Sequence, residues 1–244
     1  MSTQGLPVAE VVYPESDGQP IGENTLQVKW IVALYNGFEA LFRDTPDVFV
    51  AADLFWYPVQ GDPSVVTAPD VMVVFGRPKG DRGSYKQWEE GDVAPQVVFE
   101  ILSPSNDYKE MQKKFRLYQQ HGVEEYYVYD PDRFGLDVWV QTGSGLQLST
   151  QPHGFTSRWL GVTFQVPGTG PMRITQPDGR PFLTYLELLA QAEADQQRAT
   201  DEARKAQEER QKAEEERRKA EEERQKAERL ATKLRALGVD PDAV

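Results

Sequence analysis

The stretch APDVMVV (residues 68–74), read with PQVVFEILSPSN (95–106) and DYKEMQKKFRLYQQHGV (107–123), decides how the chain folds. Val71, Met72, Val73, Val74 and Phe75 make one continuous apolar run, and Val97, Val98, Phe99, Ile101 and Leu102 make another. Short unbroken runs of this kind suit strands covered on both faces. Each carries a carboxylate where a buried strand disfavours one: Asp70 at the mouth of the first, Glu100 inside the second. An ionised carboxylate there costs several kcal/mol unless it is paired or holds a cation.

The segment that follows offers a partner. At about 100° per residue, Met111, Phe115 and Tyr118 fall on one apolar arc with Leu117 at its far edge. Lys114 lies inside that arc, whereas Lys113 points away with Arg116 and Gln120. An inward lysine is costly for the same reason as Glu100, and the two costs cancel if they meet. Asp70, Glu100 and Lys114 are therefore the candidate site. The alternative is a structural Glu–Lys pair beside an aspartate that merely starts a strand, because structural ion pairs also perturb charges. Ser105 or Asn106 is expected to cap the helix and Gly122 to end it. Asp107 and Glu110 project towards the Lys114 side, with Glu110 spaced for an i,i+4 pair.

Working outward, Glu23-Asn24-Thr25 reads as a helix start, and LQVKWIVALYNGFEALF continues it with Leu26, Trp30, Ile31, Leu34, Phe38 and Leu41 on one side. Glu39 belongs to a solvated face or could reach a metal. VFVAADLFWYPV (48–59) reads as a strand of a hairpin with QGDPS as its turn. The loop GRPKGDRGSYKQWEEGD (76–92) gathers Arg77, Lys79, Arg82 and Lys86 around Tyr85 and Trp88. Such a loop can hold a phosphate backbone or stack a base; it can also be an ordinary surface loop. EEYYVYDPD (124–132) reads as a strand, LDVWV and LQLST as a hairpin around Gly143–Gly145, and LGVTFQV (160–166) as a further strand.

Composition narrows the chemistry. There is no cysteine and there are two histidines, His121 and His153, so thiolate and multi-histidine metal sites give way to hard oxygen ligands. Absence of a run of 18 apolar residues or an N-terminal basic-plus-apolar segment predicts a soluble, cytoplasmic chain without a membrane partner. Net charge is −12, and residues 1–190 hold 14 Lys and Arg against 24 Asp and Glu. An acidic body counts against tight non-specific binding to a polyanion.

The 244 residues suggest one domain with an appendage. Residues 1–20 read as a flexible lead-in, 21–183 as the domain, 184–238 as a long charged helix and 239–244 as a tail. In the helix a unit close to KAEEER(Q/R) recurs every seven residues, with Ala206, Ala213, Ala220 and Ala227 in register. Alanine and charge make a weak seam, strengthened by Leu230, Leu234 and Leu237 only at the end, so the helix is either solvated or a shallow coiled-coil contact in a possible homodimer.

PDVMVV, then VVFEILSPSN, then K-x-RLY-x(3)-GV-x-EYY-x-x-DP resembles the Uma family of restriction endonucleases, a branch of the PD-(D/E)XK nucleases, over roughly residues 20–170. The resemblance implies an α/β (α+β) fold with a restriction-endonuclease-like core: a mixed central sheet flanked by helices. In that superfamily the strand Asp and Glu bind magnesium and a Lys helps activate water, which assigns Asp70 and Glu100 to the metal. Leu102 stands where the usual lysine would be, two residues after the glutamate, and Lys114 on the next helix matches the displaced one. The backbone carbonyl of Ile101 is a third potential ligand for Mg²⁺. The expectation is an Mg²⁺-dependent endonuclease with DNA as substrate. Its rival is a catalytically idle nuclease-like domain that acts as an interaction protein through the C-terminal helix.

Overall fold

The structure, a computed structural model, describes residues 11–16, 18, 22, 24–183 and 185–236. Most of the expected lead-in, and the expected tail at 239–244, lie outside the described residues. Contacts divide the chain into two units, residues 1–184 and 185–244.

The first unit begins with α1 (Thr25–Leu41), whose first turn is capped by Asn24: its Oδ1 accepts the N–H groups of Leu26 and Gln27, each at 2.9 Å. Strands β1 (Val48–Ala52), β2 (Trp56–Tyr57), β3 (Val71–Phe75), β4 (Tyr85–Lys86) and β5 (Val97–Ile101) follow, then α2 (Tyr108–Gln120). After it come β6 (Glu125–Asp130), β7 (Gly135–Thr142), β8 (Gly145–Leu148), β9 (Phe155–Thr156), β10 (Thr163–Gln165) and β11 (Arg173–Thr175).

The central sheet runs β1-β3-β5-β6-β7-β8. Its pairs are antiparallel except β5–β6, which are parallel and joined by α2. A parallel pair needs such a crossover, and the result is the mixed sheet expected. Strands β9–β11 form a small sheet of their own, and β2 pairs with β4.

The period of two along a strand sends alternate side chains to opposite faces. On one face Val71, Val73, Val97, Phe99 and Ile101 pack with Ile31, Leu34 and Phe38 of α1 and with the β9–β11 layer. On the other, Met72, Val74 and Val98 pack with Trp56, Tyr85, Tyr126 and Tyr118 of α2. Every residue of β5 is buried, as an apolar run covered on both sides requires. Glu100 therefore lies on the α2 face.

Some local expectations shift. The cap of α2 is Asp107, which accepts from Lys109 N, while Asn106 Oδ1 accepts Ser103 N at 2.6 Å and closes the SPSN turn instead. Leu26 faces outward rather than inward. Residues 160–166 are strand only over β10, and 48–59 divide into β1 and β2, with Asp53 between them in the left-handed region at φ 50°.

The second unit contains α3 (Tyr185–Ala236), 52 residues long, or about 78 Å at 1.5 Å per residue. Among its described side chains none is buried. Pairs such as Glu215–Lys219 (2.7 Å) and Arg224–Glu228 (3.2 Å) follow the i,i+4 spacing, each contributing about 0.3–0.5 kcal/mol on an exposed helix.

Candidate functional site

The register of β3 and β5 builds the site. Val73 pairs with Val97, Met72 with Val98 and Val71 with Phe99, so one step further Asp70 stands opposite Glu100. Both belong to the α2 face. Asp70 Oδ2 accepts the Ile101 N–H at 2.6 Å, which continues the ladder through a side chain. α2 then crosses above and brings Lys114 Nζ to 2.8 Å from Glu100 Oε2, with Ala68 O at 3.5 Å. Three candidate residues from separate segments, with the backbone of Ile101, thus line or adjoin one cleft of about 560 Å³.

The surroundings are asymmetric. Glu100 is buried, and the hydroxyl of Tyr118 makes a short hydrogen bond to its Oε1. Tyr118 is wedged under Trp56, their rings stacked at 6.2 Å and 4°, with Tyr126 at 5.0 Å on another side. Burial and the Glu100 charge hold the Tyr118 phenol well above its ordinary pKa, so it stays a donor. Burial works against charge on Lys114, but the adjacent Glu100 carboxylate outweighs it and the ammonium is held above its usual value. Asp70 carries the excess: burial, and then the Glu100 charge, push its carboxyl up to about 8, partly opposed by the Ile101 N–H, Lys114 and Gln27. Two carboxylates facing one lysine leave one negative charge unmatched.

Gln27, Tyr118 and Asp53 are the residues sequence reasoning passed over. Gln27 is buried on α1, donates from Nε2 to Ile101 O at 2.9 Å and hydrogen-bonds Asp70, tying the carbonyl and the carboxylate to one amide. Its only signal is a polar residue in line with Ile31, Leu34 and Phe38 at i, i+4, i+7 and i+11 on an apolar face. Tyr118 stands on the apolar arc of α2, where a phenol needs a partner. Asp53 lines the same cleft, and its backbone N–H reaches Asp70 O at 3.3 Å.

The other named residues fall elsewhere. Glu39 pairs with Lys79 at 3.4 Å. Arg77 donates to Glu90 O at 2.8 Å, Arg82 pairs with Glu90 at 2.6 Å and lies over the Phe49 ring, and Lys86 sits 3.6 Å from Glu89. None of these four loop cations lines the cleft. Glu110 does line it, but among the described residues its expected ion pair with Lys114 is not formed, since Lys114 turns to Glu100. Among the described residues no group of three or more His, Cys, Asp or Glu side chains is gathered around a metal position, so any oxygen cage would combine two carboxylates with backbone or water oxygens.

The first unit is thus an α/β domain, a mixed central sheet in which α2 joins the parallel pair β5–β6 and Asp70 and Glu100 lie on adjoining segments. Residues 12–165 match a family model described as "Uma2: Putative restriction endonuclease", and the chain belongs to that family. Among solved structures, that of a "putative nuclease belonging to DUF820" from Anabaena variabilis ATCC 29413 is similar, at 16% identity and a TM-score of 0.42 over 55% of this chain and 73% of that one. No curated protein matches the chain.

Proposed function

We propose that the chain is a magnesium-dependent endonuclease that hydrolyses phosphodiester bonds of DNA, with Asp70, Glu100 and Lys114 as its site. The observation that carries this reading is the meeting of Lys114 and Glu100 at 2.8 Å directly across the sheet register from Asp70. Family membership supports the nuclease class. The donor set also fits a hard dication: carboxylate and carbonyl oxygens, with the second carboxylate's charge, which Lys114 does not match, taken up by a proton on Asp70 to about pH 8 where no metal ion is bound. Asp70 and Glu100 would hold the ion, with Ile101 O as a further oxygen. Such an ion, when bound, supplies a polarised phosphoryl group, a more acidic water and charge stabilisation at the leaving oxygen.

The chain's own groups do the rest. Lys114 remains an ammonium, so it acts as a donor and a fixed positive charge rather than as a base. Its role in this reading is to orient a water beside the scissile phosphorus and to offset the charge that accumulates as the new P–O bond forms and the old one breaks. Tyr118 holds Glu100 in one rotamer and occupies one of its acceptor positions. Gln27 ties the Asp70 carboxyl and the Ile101 carbonyl to one amide.

A second reading is favoured by the net charge of −12: an idle nuclease-like domain serving interactions through α3. Plasmid nicking in Mg²⁺ separates them. Wild type should convert supercoiled DNA to open circles, and Asp70→Asn, Glu100→Gln and Lys114→Met should each lose about 10²-fold or more in rate. Wild type that leaves every DNA form intact would put the idle domain ahead.

A further inference from the structure

Helix α2 has a second side beyond the one that delivers Lys114. Lys109, Lys113 and Arg116 are exposed, and among the described residues none of them forms an ion pair. Their spacing of i, i+4 and i+7 puts them in one stripe of a helix, about 10 Å long at 1.5 Å per residue. The stripe lines a groove of about 390 Å³ together with Val65, Leu117 and His121, and among the described residues no carboxylate lines it. Lys113 and Leu117 line both this groove and the cleft that holds Asp70, Glu100 and Lys114. Groove and cleft therefore adjoin at these two side chains.

The loop cations present the opposite picture. Arg77, Lys79, Arg82 and Lys86 each have a protein oxygen within 3.6 Å, from Glu90, Glu39, Glu90 and Glu89. A phosphate would have to displace those partners. In a body where 24 acids face 14 bases over residues 1–190, a polyanion needs a local strip of unmatched positive charge, and α2 supplies one at the entrance to the site.

We propose that Lys109, Lys113 and Arg116 form the nucleic-acid-binding face, gripping about three successive phosphates of one DNA strand, at 3.4 Å of axis each, and leading that strand into the cleft. This rests on the nuclease reading only for what happens to the strand once it arrives.

The test is fluorescence anisotropy of the full chain with a fluorescein-labelled DNA duplex in EDTA, over a series of salt concentrations. The triple variant Lys109→Gln/Lys113→Gln/Arg116→Gln should bind at least about tenfold more weakly, and the slope of log K against log salt should shrink by about 0.9 for each phosphate that is no longer neutralised. The triple arginine-or-lysine swap Lys109→Arg/Lys113→Arg/Arg116→Lys should retain wild-type binding, which separates lost charge from lost folding. Lys79→Gln/Lys86→Gln should stay within about twofold of wild type. Equal binding by the triple glutamine variant and wild type overturns the inference, as does a wild type that binds no DNA, or a larger loss from the loop pair. Plasmid nicking with the same proteins keeps the two readings apart. Wild type that cleaves while the glutamine variant binds undiminished sinks the strip and spares the nuclease; wild type that binds through the strip and cleaves nothing does the reverse.

Discussion

Asp70 and Glu100 face one another across two neighbouring strands, and like charges directly opposite repel. Lys114 offsets one of them. The folded chain responds by keeping a proton on Asp70 up to about pH 8, because burial and the Glu100 charge both disfavour its ionised form. An unfolded aspartate releases that proton near pH 4. Between those values the folded state binds more protons than the unfolded one, so this residue's contribution to stability is full below about pH 4 and is lost as pH rises through about 8. Asp70→Asn cannot titrate. In EDTA its Tm relative to wild type should therefore rise by a few °C between pH 5 and pH 8.5, as followed by circular dichroism; a gap that stays constant would mean that Asp70 titrates normally. The acids and the lysine were legible in the sequence because a charge inside an apolar run, or inside an apolar arc, has no inexpensive explanation. Gln27 was not, since an uncharged amide on a buried face breaks the pattern only weakly. The hydroxyl of Tyr118 was hidden because its ring alone satisfies the arc.

At the scale of elements, α1 packs on the sheet through Ile31, Leu34 and Phe38 and makes one especially close approach at Gly37. A Cβ added at Gly37 would lie 2.4 Å from the Phe182 ring, which packs edge-on against Phe38 at 5.4 Å. Helix propensity alone favours Gly37→Ala by about 1 kcal/mol, but the overlap at Phe182 should cost about 1–3 kcal/mol and outweigh it. The expected result is a lower midpoint in urea denaturation; a higher one would mean that Phe182 moves aside freely. This contact has no sequence signal, because it joins residues far apart in the chain. The helices and the longer strands did have one: α1 and α2 express a period of 3.6, β3 and β5 are unbroken apolar runs, and β6, β7 and β8 are β-branched, aromatic or alternating apolar stretches between turn residues. The pieces β2, β4, β9 and β11 have two or three residues each, too few for any period. The α2 cap falls at Asp107 rather than one residue earlier because both Asn106 and Asp107 have capping chemistry, and only the Ser103–Asn106 turn decides between them.

At the scale of the molecule, the domain's core and the long helix are built on different physics. Residues 1–184 have a sheet buried on both faces, whereas the described side chains of α3 are solvated and supported by i,i+4 pairs that salt weakens. A chain ending at residue 184 should therefore melt within about 2 °C of the full chain and nick plasmid at the same rate; a large drop in either would make α3 part of the domain's stability or chemistry. The most direct test of the central claim is where a divalent ion binds. Crystals of the full chain soaked in Mn²⁺ should give an anomalous peak in the cleft with one oxygen each of Asp70 and Glu100 at about 2.1 Å, and the same peak should be missing in Asp70→Asn. A saturating soak that leaves no peak between these two carboxylates would contradict the account.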